Sequence, residues 1–272
     1  MSNVHPSAVV DPQAILAPDV TVGPWCVILG PVTLGPRCVL HHNVTLKGPL
    51  TVGENNVFHP HVAIGYEPQD LKFDPSRGDT GIVIGSHNVF REGFTAHRAT
   101  HPRPTTIGDH NYFMVNSHVA HDCLVANHVT MVNGSLIAGH VELHDHCILG
   151  GGAVVHQFCR VGMLAMIAGA AGTLKDLPPF CVMHDPKFIG SINLVGLRRA
   201  GLRQHIDPVR KAFDLMFRQG HTKQIALALI AGQIPDDPMV KVFTRFIAES
   251  TRGIARYVPA NRRTAGDDDS NV

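Results

Sequence analysis

Stepping through the chain by six from Val4 meets an apolar residue every time: Val10, Leu16, Val22, Ile28, Leu34, Leu40, Leu46, Val52, Phe58 and Ile64. The register breaks, resumes at Ile84, Phe90 and Ala96, breaks again, and runs from Ile107 through Val125 and Leu143 to Ile167. All 25 positions are apolar in a chain that is 44% apolar overall, a run with a chance probability of about one in a billion. A six-residue unit of one short strand and one corner buries nothing alone, so the units must stack as a parallel β-helix. Three units per coil give about eight coils and a prism about 40 Å long at strand spacing.

Gly or Ala often follows the apolar position, as in Gly23, Gly35, Gly53, Gly85, Gly108, Gly150 and Gly162, and suits a tight corner. Five of the six cysteines, Cys26, Cys38, Cys123, Cys147 and Cys159, stand four places after it and read as small buried hydrophobes. The sharper reading of Cys123, beside His121, is a nucleophilic or metal-bound thiol. One Trp and three Tyr fit a narrow interior.

The prism is expected over residues 1–190, with extruded loops at 66–82 and 97–106. An α-helical domain follows over 191–256, with Asp207 as an N-cap, a second helix from Thr222 to Ala231 and a third from about Pro238 to Arg252. The tail, 257–272, is expected to be disordered. A net charge of +1 argues against a nucleic-acid binder, but it hides a division. Residues 1–190 carry −4, 191–263 carry +8 and 264–272 carry −3, so the helical region offers a docking face for an acidic partner. With neither a signal sequence nor a membrane span in the pattern, the expected location is cytoplasmic.

Hexads 18 residues apart share a prism face. Those starting at Val119, Ile137 and Val155 contain His121, His140 and His156, which should form one strip, with His118 and Asp122 beside His121. Three readings are open: zinc coordination, general-base catalysis by an imidazole tuned by Asp122, and a surface of accidental histidines. A fourth, from another class, is a non-catalytic prism that binds an acidic protein through its helices.

The runs QDLK (69–72), HR (97–98), HVAHDC (118–123), AGHV (138–141), VHQF (155–158), PPF (178–180) and NLVGLRRAG (193–201) resemble the acyltransferases that begin lipid A synthesis, within the hexapeptide-repeat acyltransferases. The resemblance spans roughly residues 4–256. It implies a left-handed parallel β-helix with a C-terminal α-helical domain, working as a homotrimer with sites between prisms. It implies transfer of a 3-hydroxyacyl chain from acyl carrier protein to the 3-hydroxyl of UDP-N-acetylglucosamine. No metal is implied, and no cofactor beyond the carrier's 4'-phosphopantetheine. His121 would be the base, Asp122 its partner and Gly139 the oxyanion donor. Asp70, Lys72, His97, His118, His140, His156, Gln157, Asn193 and Arg199 would bind substrate, and Gly169 would set acyl length. Arg198, Arg199, Arg203, Arg210 and Lys211 would dock the carrier. Val195 stands where the family commonly has Glu, Ala200 replaces a second basic residue, and 181–190 is about one residue short. The alternative activity is therefore N-acylation of a 3-amino analogue or another nucleotide-linked amino sugar.

Overall fold

The computed structural model describes residues 3–74, 76, 80–100, 102–185, 188–234 and 236–258. Strands of two to five residues wind through three sheets, of 8, 9 and 12 strands, parallel but for one antiparallel pair near the C-terminal end of the largest. Partners lie 18 residues apart along the chain, as in Thr21↔Val39 and His118↔Leu136, except where the extruded loops intervene and toward the C-terminal end, as in Met166↔Val182. Every one of the 25 apolar positions falls in a strand. From Val22 onward they are buried, whereas Val4 is 37% exposed at the open first coil. A further strand, Gly172–Thr173, extends the series; the buried Thr173 escapes an apolar pattern by donating its hydroxyl to the Lys175 carbonyl (2.5 Å).

Corners form at residues with positive φ, such as Asp122 (60°), His128 (55°) and His140 (61°), three places after the apolar position. The glycines one place after it therefore answer a different need. A Cβ at Gly23 would lie 2.8 Å from the His41 backbone, and one at Gly35 2.7 Å from Gly53, so they permit close stacking of coils. Inside the corners, a ladder of buried amides satisfies the backbone: Asn56 Oδ1 accepts from the Asn88 N–H (3.0 Å), and Asn88 Oδ1 from the Asn111 N–H (2.9 Å). Aromatic rings do enter the interior, because Phe58, Phe90 and Phe113 stack one per coil at 4.9 and 5.2 Å.

The extruded loops are shorter than expected. Tyr66, Ile82, His97 and Thr105 belong to strands, leaving residues 67–81 and 98–104. The boundary near 190 also shifts, since an antiparallel pair, Cys181–Asp185 with Phe188–Ile192, carries the prism into the helical region. There α1 (Leu194–Arg199), α2 (Ile206–Phe217), α3 (Lys223–Gln233) and α4 (Pro238–Ala248) follow. The N-cap of α2 is His205; Asp207 sits inside the first turn and pairs with Arg210. Thr222 caps α3 and Asp237 caps α4, whose last turn ends four residues before Arg252. Arg256–Tyr257 returns as a strand beside Phe188–Ile189, so the expected tail loses its first two residues to order; 259–272 lie outside the described residues. Among the described residues, no helix is long and apolar enough to cross a membrane.

Candidate active site

His121 and Asp122 form the corner after the strand His118–Val119. The His121 Nδ1 and Asp122 Oδ2 atoms are 2.7 Å apart, and the two side chains are only 14% and 5% exposed. Burial opposes the Asp122 charge, yet hydrogen bonds from His121 and Thr100 outweigh it and hold the carboxyl down at about 2. Asp122 is thus ionised and can only accept, so His121 Nδ1 donates to it and Nε2 is the ring nitrogen left clear of the carboxylate. His140, one coil on, meets His121 edge to face at 5.4 Å, with its Nε2 3.8 Å from Asp122 Oδ2.

Gly139 lies against the His121 ring: an added Cβ would stand 2.6 Å from Cε1 and 2.7 Å from Nε2. Among the described residues its N–H makes no backbone hydrogen bond, which leaves a donor beside the imidazole. His118 takes a hydrogen bond with Thr95 Oγ1 (2.7 Å at Nδ1) and crosses His97 at 4.8 Å. Burial, reinforced by His97, pushes the His118 imidazole down to about 4, and burial also lowers His97. Both rings are neutral near pH 7. The buried His97 Nδ1 has no hydrogen-bond partner among the described residues.

Stacking by 18 does not align the three histidines of the expected strip. The equivalent corner positions are Asp122, His140 and Phe158, all with positive φ, and Phe158 stacks on His140 at 4.4 Å. His156 comes two places before that corner and turns away to Arg252, whose guanidinium lies 2.9 Å from its Nδ1; Gln157 beside it is exposed. Phe158, 51% exposed, is the residue an imidazole count overlooks. A metal, if held, would meet His121, Asp122 and His140, whose ligand atoms lie within 4.8 Å of one another, rather than three imidazoles.

The remaining expected residues are dispersed. Asp70 turns its carboxylate back to the Lys72 N–H (2.9 Å) in the 67–81 loop, where Lys72 and the fully exposed Leu71 face solvent. Asn193 is held by the fold itself, capping α1 at the Gly196 N–H (2.8 Å) and donating to the Leu164 carbonyl (2.8 Å). Arg198, Arg199 and Arg203 are exposed, whereas Arg210 is paired with Asp207 and Lys211 donates to the Gln233 carbonyl (2.8 Å). Gly169 is exposed, and a side chain there would meet only Gly151, at 3.4 Å. Cys123 is buried, its thiol pushed up to about 12, which makes it a packing residue and not a nucleophile. A large concavity between α3, α4 and the prism, lined by Leu227, Ile230, Arg160 and Phe246, lies apart from these groups; the hydrogen-bonded His121–Asp122 pair outweighs its size as a pointer to chemistry.

Residues 176–255 match the family model described as UDP-N-acetylglucosamine O-acyltransferase, domain 2, and residues 13–48 match the bacterial transferase hexapeptide model. A curated acyl-[acyl-carrier-protein]–UDP-N-acetylglucosamine O-acyltransferase of Stutzerimonas stutzeri is 40% identical over 94% of this chain and 100% of its own length. The chain belongs to the UDP-N-acetylglucosamine O-acyltransferase family. Its solved structures agree. The acyltransferase of Bacteroides fragilis superposes with a TM-score of 0.90 at 32% identity, covering 93% of this chain and 100% of that one. The Campylobacter jejuni acyltransferase gives 0.88 at 34%, covering 94% and 100%. The three-sided prism is accordingly the left-handed parallel β-helix of these acyltransferases, with its C-terminal helices.

Proposed function

We propose that this chain moves a 3-hydroxyacyl group from acyl carrier protein to the 3-hydroxyl of UDP-N-acetylglucosamine, the opening step of lipid A biosynthesis, with His121 as general base. The observation that carries the reading is the buried His121–Asp122 pair, which leaves Nε2 as an acceptor beside Gly139. A sugar hydroxyl is too weak an acid to ionise freely at pH 7, so its proton must leave as the oxygen attacks. Nε2 takes that proton while the hydroxyl oxygen bonds to the thioester carbonyl carbon. The carbonyl oxygen becomes an oxyanion, which the Gly139 N–H stabilises. The intermediate collapses with loss of the C–S bond, and the imidazolium returns its proton to the departing phosphopantetheine thiolate. Asp122 stabilises the imidazolium throughout. Atoms and charge balance without a metal or a further cofactor.

His97 and His118, neutral near pH 7, are suited to hydrogen-bonding a polar substrate without placing a second charge beside the base. The outer face of their sheet continues from His118 through Leu136 and Val154, 43% and 46% exposed, to Gly172, an apolar path for an acyl chain. Gly169 lies bare at the corner bordering that sheet, where side-chain size would set acyl length. The functional unit we propose is a cytoplasmic homotrimer. Asp70, Lys72 and Leu71 on the 67–81 loop would reach a neighbouring prism and grip the nucleotide there, alongside Gln157, His156, Asn193 and Arg199. Arg198, Arg199 and Arg203 would meet the acidic carrier, with Arg210 and Lys211 at its margin.

The relatives' names put the acyl group on oxygen, which supports an ester over the amide of a 3-amino sugar. Mass spectrometry of products from a panel of acyl-carrier thioesters, offered UDP-N-acetylglucosamine and its 3-amino analogue, tests this. An alkali-labile ester on the natural sugar is expected; acylation of the amino analogue alone would overturn it.

A further inference from the structure

Thr100 lies just past the strand Thr95–His97, one coil before His121, and reaches the Asp122 carboxylate, while Thr105 at the start of the next strand takes the Asp122 N–H. The Thr100 N–H donates to Asp122 Oδ1 (3.0 Å) and Oδ2 (3.2 Å), and the Thr100 hydroxyl donates to Oδ2 (2.8 Å). The Asp122 N–H in turn donates to Oγ1 of the buried Thr105 (2.8 Å). The carboxylate that faces His121 is therefore fixed by a loop rather than by the repeat.

We infer that Thr100 is a positioning residue for the acyl transfer, its hydroxyl and N–H holding the Asp122 carboxylate in the one orientation that keeps His121 protonated at Nδ1 and open at Nε2. The inference rests on the reading of His121 as the base. Its chemical content lies in Oδ2, which accepts from both Thr100 Oγ1 and His121 Nδ1. With the Thr100 N–H also 3.2 Å from it, three donors converge on that oxygen and leave the carboxylate little freedom to rotate about its terminal bond. The backbone around Thr100 is anchored independently of Asp122: the Arg98 N–H donates to the Tyr66 carbonyl (3.1 Å) and the Ala99 N–H to the Gly81 carbonyl (3.2 Å). The neighbouring Arg98 guanidinium also pairs with Glu67 (3.0 Å) at the root of the 67–81 loop. Both extruded loops thus converge near the support of Asp122, with Thr100 in direct contact with it.

Hydrogen bonds to charged groups are individually strong, so Thr100→Val, which deletes the hydroxyl and keeps the shape, should lower kcat by about 10-fold or more. KM for both substrates should stay near the wild-type value, and Thr100→Ser should restore kcat. Nitrogen NMR of the His121 ring should show the Nδ1–H tautomer in wild type and a mixture with Nε2–H in Thr100→Val, a change that loss of loop packing alone would not produce. Should Thr100→Val fail to fold, Thr100→Ala serves with the same readouts. Wild-type kcat and an unchanged tautomer, in a protein that His121→Ala inactivates, would overturn the role of Thr100 alone. An active His121→Ala would overturn the site reading itself.

Discussion

Two corners of the same prism gather histidines by the same stacking of 18-residue coils, and they are chemically unlike. At one, His110, His128 and His146 follow His87 in a column of near-parallel rings, 4.6 to 5.0 Å apart and tilted by no more than 5°. All four side chains are exposed. Their neighbouring carboxylates serve the backbone, with Asp145 accepting from the Asn127 N–H (2.9 Å) and Asp109 from the Ser86 N–H (2.6 Å). At the other corner a single imidazole is buried against a carboxylate aimed at its ring nitrogen, and the next ring stands across it rather than along it. Repetition collects imidazoles. Burial, a dedicated carboxylate and a loop from outside the repeat make one of them a base.

The contrast is most sharply broken at the carboxylates. Asp122→Asn would present an amide that donates to His121 Nδ1 and so favours the wrong tautomer, with an expected loss of about 10² to 10⁴-fold in kcat. Asp145→Asn keeps an oxygen for the Asn127 N–H and should leave kcat near wild type. Equal effects in steady-state kinetics would erase the distinction between the corners.

Gly139→Ala should come next. The added methyl cannot share space with the His121 ring, which must turn from its position, at a cost of about 10-fold or more in kcat. A crystal structure of the variant with the ring unmoved, or an unimpaired rate, would contradict the packing argument. Smaller again is the effect of Arg203→Glu, remote from both corners, which should raise KM for the acyl donor several-fold at low ionic strength and lose most of that effect in high salt. An unchanged donor KM would remove the basic patch from the account.

The smallest effect separates the corners by pH. Burial depresses His118 to about 4 from 6.5, so the unfolded chain binds this proton where the folded one does not. Stability from the neutral ring is complete above about pH 6.5 and is lost as pH falls through the window between 6.5 and 4. Replacing His118 with Gln should flatten the fall in Tm across that window more than replacing the exposed His128; the opposite order would deny His118 its buried environment.

How much of this was legible in the sequence depended on whether period or contact decided it. The six-residue step located every strand through Ile167, because only an apolar residue tolerates the prism interior, but it passed over Thr173, whose hydroxyl is satisfied locally. The same arithmetic placed His140 beside His121 and misplaced His156, which falls two places before the corner that continues His140 and meets Arg252 instead. The six-residue α1 was missed because so short a helix carries no period; its one local signal was Asn193, which caps it. Thr100 had no signal at all, as its importance comes from a fold-made contact across 22 residues of chain.

The central claim, that one imidazole among 19 does the chemistry, is tested most directly by comparing His121→Ala with His128→Ala in the acyl-transfer assay, with folding verified for each. His121→Ala should lose at least about 10²-fold in kcat while His128→Ala stays near wild type. A chelator should change neither result. Near-wild-type turnover by His121→Ala, or abolition of wild-type activity by the chelator with restoration by zinc, would contradict the account.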